Sequence, residues 1–262
     1  MTMRLANVSH RALQVWRRNA EVLLTTWHTN LLPPLLEPVF YVMAFGYGLG
    51  GLVEEVTWQG QRLGYLEFMA PGIVAVAVMF WAFFETSYST FVRMRYQRTF
   101  DAMLATPLLV EDVIAGEWLW GATKSLFAGS VMTVMLACFG LVAWPSGLWV
   151  PLLAILGGMI FAAMGLIVTA LSPNIESFNL PVFLLVFPMF LFGGTFFPLE
   201  QLPPWAHNAA LALPLTHVCS LIRGACLGVM PPHAAASVLY LVAAVAVLGS
   251  IALRRMSRRL IP

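Results

Sequence analysis

The 262-residue chain has few charged residues and no long polar segment. Only 10% of its residues are Asp, Glu, Lys or Arg, whereas soluble domains carry about 25%. Apolar residues make up 60% of the chain, and its mean hydropathy is +0.83. This composition excludes a separate soluble domain and gives no support for nucleic-acid binding. Its long apolar runs predict an all-α integral membrane protein.

Motifs that bind nucleotides or metals, or that catalyse hydrolysis, are also missing. The sequence has no GxxxxGK[ST], HExxH, CxxC or GxSxG motif, so we predict no catalytic residue, metal or cofactor on this chain. Cys219 and Cys226 would lie about 10 Å apart along a helix, too far for a disulfide. We expect these two and Cys138 to pack as apolar side chains. The five histidines are scattered, and only His217, near Arg223, stands out.

The charges are concentrated in one 27-residue stretch, Phe91 to Glu117, which reads FVRMRYQRTFDAMLATPLLVEDVIAGE. Its seven charges, flanked by long uncharged segments, should lie in water, and its basic start favours the cytoplasm. Thr99 can cap a short helix with Asp101 in the first turn, and Pro107 should end it. A helix over residues 99–106 suits contact with a cytosolic partner. A solvated connecting loop explains the stretch equally well.

Segments of low charge predict the membrane spans, because a bilayer core requires about 20 apolar residues per helix. Before them, Ser9 to His28 has apolar residues at three- and four-residue steps, which indicates an interfacial amphipathic helix. Packing on a cytosolic partner is the alternative for this helix. Pro198 to Pro232 is rich in proline and predicts a re-entrant or interfacial helix pair. The predicted spans are residues 31–53, 68–90, 118–143, 148–171, 178–197 and 233–253.

Arginines at the two ends of the chain predict the orientation. Four lie in the N-terminal segment and four in the C-terminal tail. Segments rich in positive charge stay in the cytoplasm, so both termini are predicted there and the number of spans should be even. This argues against Trp205 to Ile222 as a further span, and it places Glu54 to Glu67 and Pro198 to Pro232 outside.

Four stretches carry a family resemblance: FETSYSTFVRMRYQRTFDAMLATPL (84–108), GEWLWGATKSLFAG (116–129), FGGTFFPLEQLP (192–203) and LPLTHVCSLIRGACLG (213–228). They resemble the membrane subunit of type-2 ABC exporters, in particular the nodulation-protein-J-like branch, and the likeness covers most of the chain. The resemblance implies six spans in the bacterial inner membrane. It also implies a homodimer with two separately encoded ATPase subunits, which bind ATP and Mg.

The resemblance further implies a role for each special segment. The helix over residues 99–106 corresponds to the coupling helix that docks in the ATPase, and the N-terminal amphipathic helix corresponds to the connecting helix. We expect the apolar side chains of the coupling helix to be exposed and to fill a groove on the ATPase, although they could instead lie on the membrane surface. The predicted coupling residues are Arg98, Thr99, Phe100, Asp101, Met103 and Leu104.

Two carboxylates fall near the predicted inner ends of spans one and two. Glu37 is flanked by prolines, and Glu85 precedes the charged stretch. A carboxylate at such a depth usually faces water, a partner or a substrate headgroup. We predict that Glu37 and Glu85, with Tyr88 nearby, line a cytoplasmic entrance of the substrate path. Snorkelling at the membrane rim would explain the two carboxylates equally well.

The branch implies an amphiphilic substrate such as a lipo-oligosaccharide, while related branches export hydrophobic drugs or polysaccharides. The sequence does not select among these substrates. A channel or secondary transporter without ATP would need charges along a midplane path, whereas Glu37, Glu85 and Lys124 all lie near span ends. A non-transporting scaffold would not need a capped, water-exposed coupling helix. A neighbouring reading frame for a P-loop ATPase would separate these hypotheses.

Overall fold

A computed structural model describes residues 8–49 and 55–260, most of which are helical. A short antiparallel hairpin of β1 (Val56–Trp58) and β2 (Gln61–Leu63) precedes the longest helix. The end of the predicted first span, residues 50–53, and Glu54 lie outside the described residues. The helices are α1 (Ala12–Thr25), α2 (Trp27–Tyr41, continued as a π-helix over Val42–Leu49), α3 (Tyr65–Arg95), α4 (Thr99–Leu104), α5 (Val110–Cys138), α6 (Ser146–Leu171), α7 (Glu176–Phe192), α8 (Pro204–Leu211), α9 (Pro214–Leu227) and α10 (Ala234–Leu260).

Four of the described helices, α3, α5, α6 and α10, are long and apolar enough to cross a membrane. This confirms the prediction of an integral membrane protein. Helices α8 and α9 would make a fifth span if taken together, but they meet at 84°. Helix α7 is apolar and shorter, and α2 contains three prolines before its π-helical end.

Helix α3 lies at the centre of the bundle, and α5, α6 and α9 pack around it. Nearly every side chain of α3 between Phe68 and Phe83 is buried. Small residues on its neighbours allow this close approach. A Cβ atom at Gly121 of α5 would come within 2.4 Å of Thr86, and one at Gly165 of α6 within 2.2 Å of the same side chain.

The segment before α3, for which the sequence predicted only an outer location, forms a β-hairpin. Gln59 and Gly60 both have positive φ angles, 49° and 78°, as a type I′ turn requires. Val56 and Trp58 are buried against the start of the bundle. The sequence contained one signal for this hairpin, a turn that ends in glycine between two short runs that can form strands. We call this side of the bundle the hairpin end.

The short helix α4 lies in the charged stretch, but its start differs from the prediction. Thr99 is the first helical residue, and no side chain of the described residues caps the helix. The preceding Arg98 has a left-handed backbone with φ of 51°. The prediction that Thr99 caps the helix is therefore wrong. The helix ends at Leu104, shortly before Pro107.

The cysteines are unpaired in the structure. Cys219 and Cys226 are buried, as expected for apolar packing, whereas Cys138 at the end of α5 is exposed.

Candidate functional site

A π-helical turn over Glu85–Ser89 interrupts α3. The hydroxyls of Thr86 and Ser87 donate to carbonyls one turn earlier, and Thr169 of α6 donates to the carbonyls of Thr86 and Ser87 at 2.9 and 3.0 Å. In a regular α-helix, Glu85 and Arg93 would point about 80° apart around the axis, and one extra residue reduces this to about 20°. The bulge therefore brings both side chains onto one face.

Arg93 joins two carboxylates on that face. Its Nη1 donates to Glu85 Oε1 at 2.8 Å, and its Nη2 donates to Glu117 Oε2 of α5 at 2.6 Å. Lys124 Nζ lies 3.8 Å from Glu85 Oε2. The side chain of Glu117 is fully buried, and the other three are at most 14% exposed. We call these four residues the buried ion network, and its charges sum to zero.

Neutral groups complete the bonding of the two carboxylates. Glu117 accepts hydrogen bonds from Thr90 at 2.9 Å and from Asn19 of α1 at 3.1 Å. The indole Nε1 of Trp120 donates to Glu85 at 3.0 Å. Lys124 donates to the side-chain carbonyl of Asn30, which brings α2 into the network. Four helices thus meet at one buried set of paired charges. We call the end of the bundle that contains this set the network end.

This pairing corrects the expectation that all seven charges of Phe91 to Glu117 lie in water. Arg93 and Glu117 are buried because each finds an opposite charge within the chain. Asp112 is also buried, and it accepts from the backbone and hydroxyl of Ser9 at 2.7 and 3.1 Å. The sequence signal was weak, because the partners lie 24 and 103 residues apart.

The N-terminal helix α1, predicted as an interfacial amphipathic helix, packs along α5. Trp16 Nε1 donates to Thr123 at 2.9 Å. Gly116 allows the contact, since a Cβ atom there would lie 2.6 Å from Val15. Partial burial lowers the pKa of Arg18, and the Glu117 carboxylate partly reverses this effect. Large apolar side chains of α1 and of the start of α2 stay exposed: Leu13, Val22, Leu24 and Trp27.

The predicted substrate-path residues separate into two groups. Glu85 and Tyr88 line one cavity of about 350 Å³ beside the buried ion network. Glu37 does not line this cavity, and its Oε2 is buried without a hydrogen-bond partner among the described residues. Glu85 is neutralised by cations of its own chain, so it does not need a substrate headgroup as its counter-ion.

The predicted coupling residues also divide into two groups, those that are buried against the bundle and those that are exposed. Phe100 is fully buried and Met103 is 8% exposed, and both belong to the hydrophobic core, with Leu104 partly buried against it. The prediction that these apolar side chains are exposed is wrong, because α4 turns its apolar side towards the bundle. Its exposed side carries residues at helical spacing instead: Arg98, Asp101, Ala102 and Ala105.

Helix α4 projects between two recesses. A cavity of about 600 Å³ separates α4 from α1, with Arg11, Arg18 and Ala102 in its wall. A second cavity, of about 520 Å³, lies towards the end of α10, with Asp101 and Arg259 in its wall. Neither cavity is enclosed by apolar side chains alone. A short helix between two recesses is a shape that a complementary protein groove can hold.

Comparison with known proteins adds family information to this geometry. The family described as ABC-2 type transporter matches residues 11–227. The chain is 39% identical over 216 residues to nodulation protein J of Rhizobium leguminosarum bv. trifolii, covering 82% of this chain and 81% of that protein. It is 37% identical over 232 residues to nodulation protein J of Neorhizobium galegae, covering 87% of each. It is 25% identical over 216 residues to the inner membrane transport permease YadH of Escherichia coli (strain K12), covering 82% of each.

Proposed function

The chain belongs to the ABC-2 type transporter family and is the membrane subunit of an ABC exporter, and we propose that it works as a homodimer with two ATPase subunits. The sequence has no ATP-binding loop, so ATP and Mg would bind to the partner. Two-fold dimers are the commonest oligomers. Large apolar side chains stay exposed on α2, α7 and α10, where they can meet lipid or a second copy: Phe40, Met43, Phe183, Leu184, Leu239 and Val247.

We propose six spans in the bacterial inner membrane, formed by α2, α3, α5, α6, α7 and α10. Both termini would then lie in the cytoplasm, together with the network end and α4. The hairpin and the sharply bent α8–α9 pair would lie on the outer side. Support comes from the arginines at both chain ends and from the 84° bend between α8 and α9, which suits a re-entrant pair.

We propose that α4 is the coupling helix and that its exposed side docks in a groove of the ATPase. Ala102 and Ala105 permit close approach, while Arg98 and Asp101 offer charged contacts at the rim. Buried Phe100 would not contact the ATPase and would instead hold the helix firmly on the bundle. This observation carries the proposal, because a rigidly backed helix transmits displacement better than a mobile loop does.

The buried ion network would pass that displacement into the bundle. Helix α4 connects the end of α3 to the start of α5. Close to this connection, Arg93 of α3, which is paired with Glu85 of the same helix, also pairs with Glu117 of α5. Asn19 adds α1 to the same assembly. A push on α4 would therefore move the three helices as one unit, rather than bend each of them separately.

The substrate that we propose is an amphiphile such as a lipo-oligosaccharide. The cavity beside Tyr88 and Lys124 is lined mainly by polar side chains and suits a sugar headgroup. Exposed aromatic and aliphatic side chains on the neighbouring helices suit an acyl chain in the bilayer. Export of a drug or of a lipid-free polysaccharide would be a different outcome of the same transport assay.

Recruitment of the ATPase tests the coupling proposal. Ala102→Trp adds a bulky side chain to the exposed side of α4, and Ala209→Trp adds the same side chain to an exposed position of α8 at the other end. We expect Ala102→Trp to fold normally but to weaken co-purification of the ATPase about tenfold or more, because it blocks the interface core. Ala209→Trp should retain the ATPase. Normal recruitment by Ala102→Trp would exclude this side of α4 as the docking surface.

A further inference from the structure

The hairpin end holds another buried cation, Arg223 of α9, which is 3% exposed. Its Nε donates to the Phe68 carbonyl at 2.9 Å, and its Nη2 donates to the Gly194 carbonyl at 2.8 Å. Phe68 and Glu85 lie on the same helix, about 25 Å apart along its axis. Arg223 is therefore separated from the buried ion network by most of the thickness of a bilayer core.

No carboxylate of the described residues pairs with Arg223 within 4.0 Å. The guanidinium lies 3.9 Å from the ring centre of Phe68 and 5.9 Å from that of Trp58, and these aromatic faces offset part of its desolvation. Its Nη1 forms no hydrogen bond to any of the described residues. A buried cation without a counter-ion is costly, which leaves Arg223 able to take an anion.

Arg223 lines a cavity of about 500 Å³ between the hairpin, α8, α9 and the start of α10. Three histidines and one carboxylate share its wall: His207, His217, His233 and Glu200. Both ring nitrogens of His217 are already bonded, to the Ser237 hydroxyl and to the Leu211 carbonyl. No group of three His, Cys, Asp or Glu side chains among the described residues is arranged to hold a metal ion.

We propose that this cavity is a binding site for a phosphate group, with Arg223 as its main ligand. The planar guanidinium suits a tetrahedral oxyanion, because its spare N–H groups can donate to phosphate oxygens. Two sources share this chemistry, an anionic lipid headgroup and free inorganic phosphate. The proposal that the cavity faces the outer side of the membrane rests on the proposed topology. The proposal that the cavity binds phosphate rests only on the geometry around Arg223.

A purely structural role for Arg223 makes a different prediction. Its bonds to Phe68 and Gly194 fasten the start of α3 to the segment after α7, and such fastening requires no ligand. Direct replacement of Arg223 would disrupt this packing and could not separate the two roles. A test must therefore fill the anion position while it keeps the arginine in place.

Ser220 provides that test, because it lies three residues before Arg223 on α9 and lines the same cavity. Ser220→Glu would supply a carboxylate as an internal counter-ion, and Ser220→Gln is the neutral variant of the same size. Thermal unfolding of the purified complex is measured with phosphatidylglycerol, with zwitterionic phosphatidylcholine, or with inorganic phosphate. We expect phosphatidylglycerol or phosphate, but not phosphatidylcholine, to raise the Tm of the wild type and of Ser220→Gln.

Ser220→Glu should weaken the apparent affinity for that anion about tenfold or more relative to Ser220→Gln, and it should raise the Tm without ligand. A response to phosphatidylglycerol alone assigns the site to lipid headgroups, and a response to inorganic phosphate alone assigns it to the free ion. The proposal is overturned if neither anion exceeds phosphatidylcholine, or if Ser220→Glu binds as Ser220→Gln does. The same preparations are also tested for ATPase recruitment. Loss of recruitment would count against the coupling proposal, whereas the response of the Tm to anions would still report on the Arg223 cavity.

Discussion

Replacing Arg93 by methionine would remove the cation that Glu85 and Glu117 share. Methionine retains an unbranched apolar stem but lacks the guanidinium group, so two buried carboxylates lose a hydrogen-bonded partner. Breaking a buried ion pair in this way costs about 3–5 kcal/mol. Thr90 would still donate to Glu117, and Lys124 would still lie near Glu85, so we expect about 3 kcal/mol. For a chain of this size, this corresponds to a Tm lower by about 6–12 °C.

Two further variants make the result specific to the ion pair. Arg95→Met removes an exposed arginine that forms no salt bridge to a described residue, and it should change stability by less than about 0.5 kcal/mol. Adding Glu117→Gln to Arg93→Met removes the uncompensated buried charge. The double variant should therefore be less destabilised than the sum of its single variants, by about 0.5–3 kcal/mol.

The assay is thermal unfolding of the purified membrane subunit in one detergent, followed by intrinsic tryptophan fluorescence. The reasoning would be refuted if Arg93→Met unfolds within about 2 °C of the wild type. It would equally be refuted if Arg95→Met is as destabilising as Arg93→Met. Simple additivity in the double variant would show that Arg93 and Glu117 do not interact energetically.

The other predictions concern topology, packing and the substrate path. In a background without native cysteines, a membrane-impermeant reagent should label Gln59→Cys from outside and spare Arg258→Cys, and the reverse pattern would exclude the six-span topology. Phe100→Ala should lower stability by about 3–5 kcal/mol because it empties a core position, while Phe100→Leu should lose much less; equal Tm values for the two variants would contradict this. Glu85→Gln should lower the Tm because it leaves Arg93 partly unpaired, whereas Glu37→Gln should not, since Glu37 Oε2 has no hydrogen-bond partner among the described residues. If both Gln variants export at the wild-type rate, neither carboxylate acts in the substrate path.

Most long helices could be predicted from the sequence, and the predicted end of the fourth span at residue 171 coincides with the end of α6, but the helix ends within the charged stretch could not be predicted. Predicted spans over residues 68–90 and 118–143 correspond to helices that run from Tyr65 to Arg95 and from Val110 to Cys138. The predicted spans were ended where charged residues begin. In the structure the helices extend past these limits and include Arg93 and Glu117, because the two charges neutralise each other. Hydrophobic patterns report which segments leave water, and they carry no information about which buried charges will pair.

The candidate site was only partly accessible to sequence reasoning. The charged stretch and its short helix were located, because proline and the charge cluster interrupt the apolar pattern. The burial of Phe100 could not be predicted, since a six-residue helix is too short for a reliable periodicity. Pairing of Ser9 with Asp112, across 103 residues, depends on the docking of α1 along α5 and leaves no local signal.

ATP-driven transfer in proteoliposomes tests the central claim most directly. Vesicles contain this chain with its partner ATPase, and a fluorescent lipo-oligosaccharide is followed from the ATPase side to the opposite leaflet. The account predicts transfer that requires both ATP and the ATPase, that is lost in Ala102→Trp, and that persists in Ala209→Trp. Transfer without the ATPase, or transfer by Ala102→Trp at the wild-type rate, would contradict it.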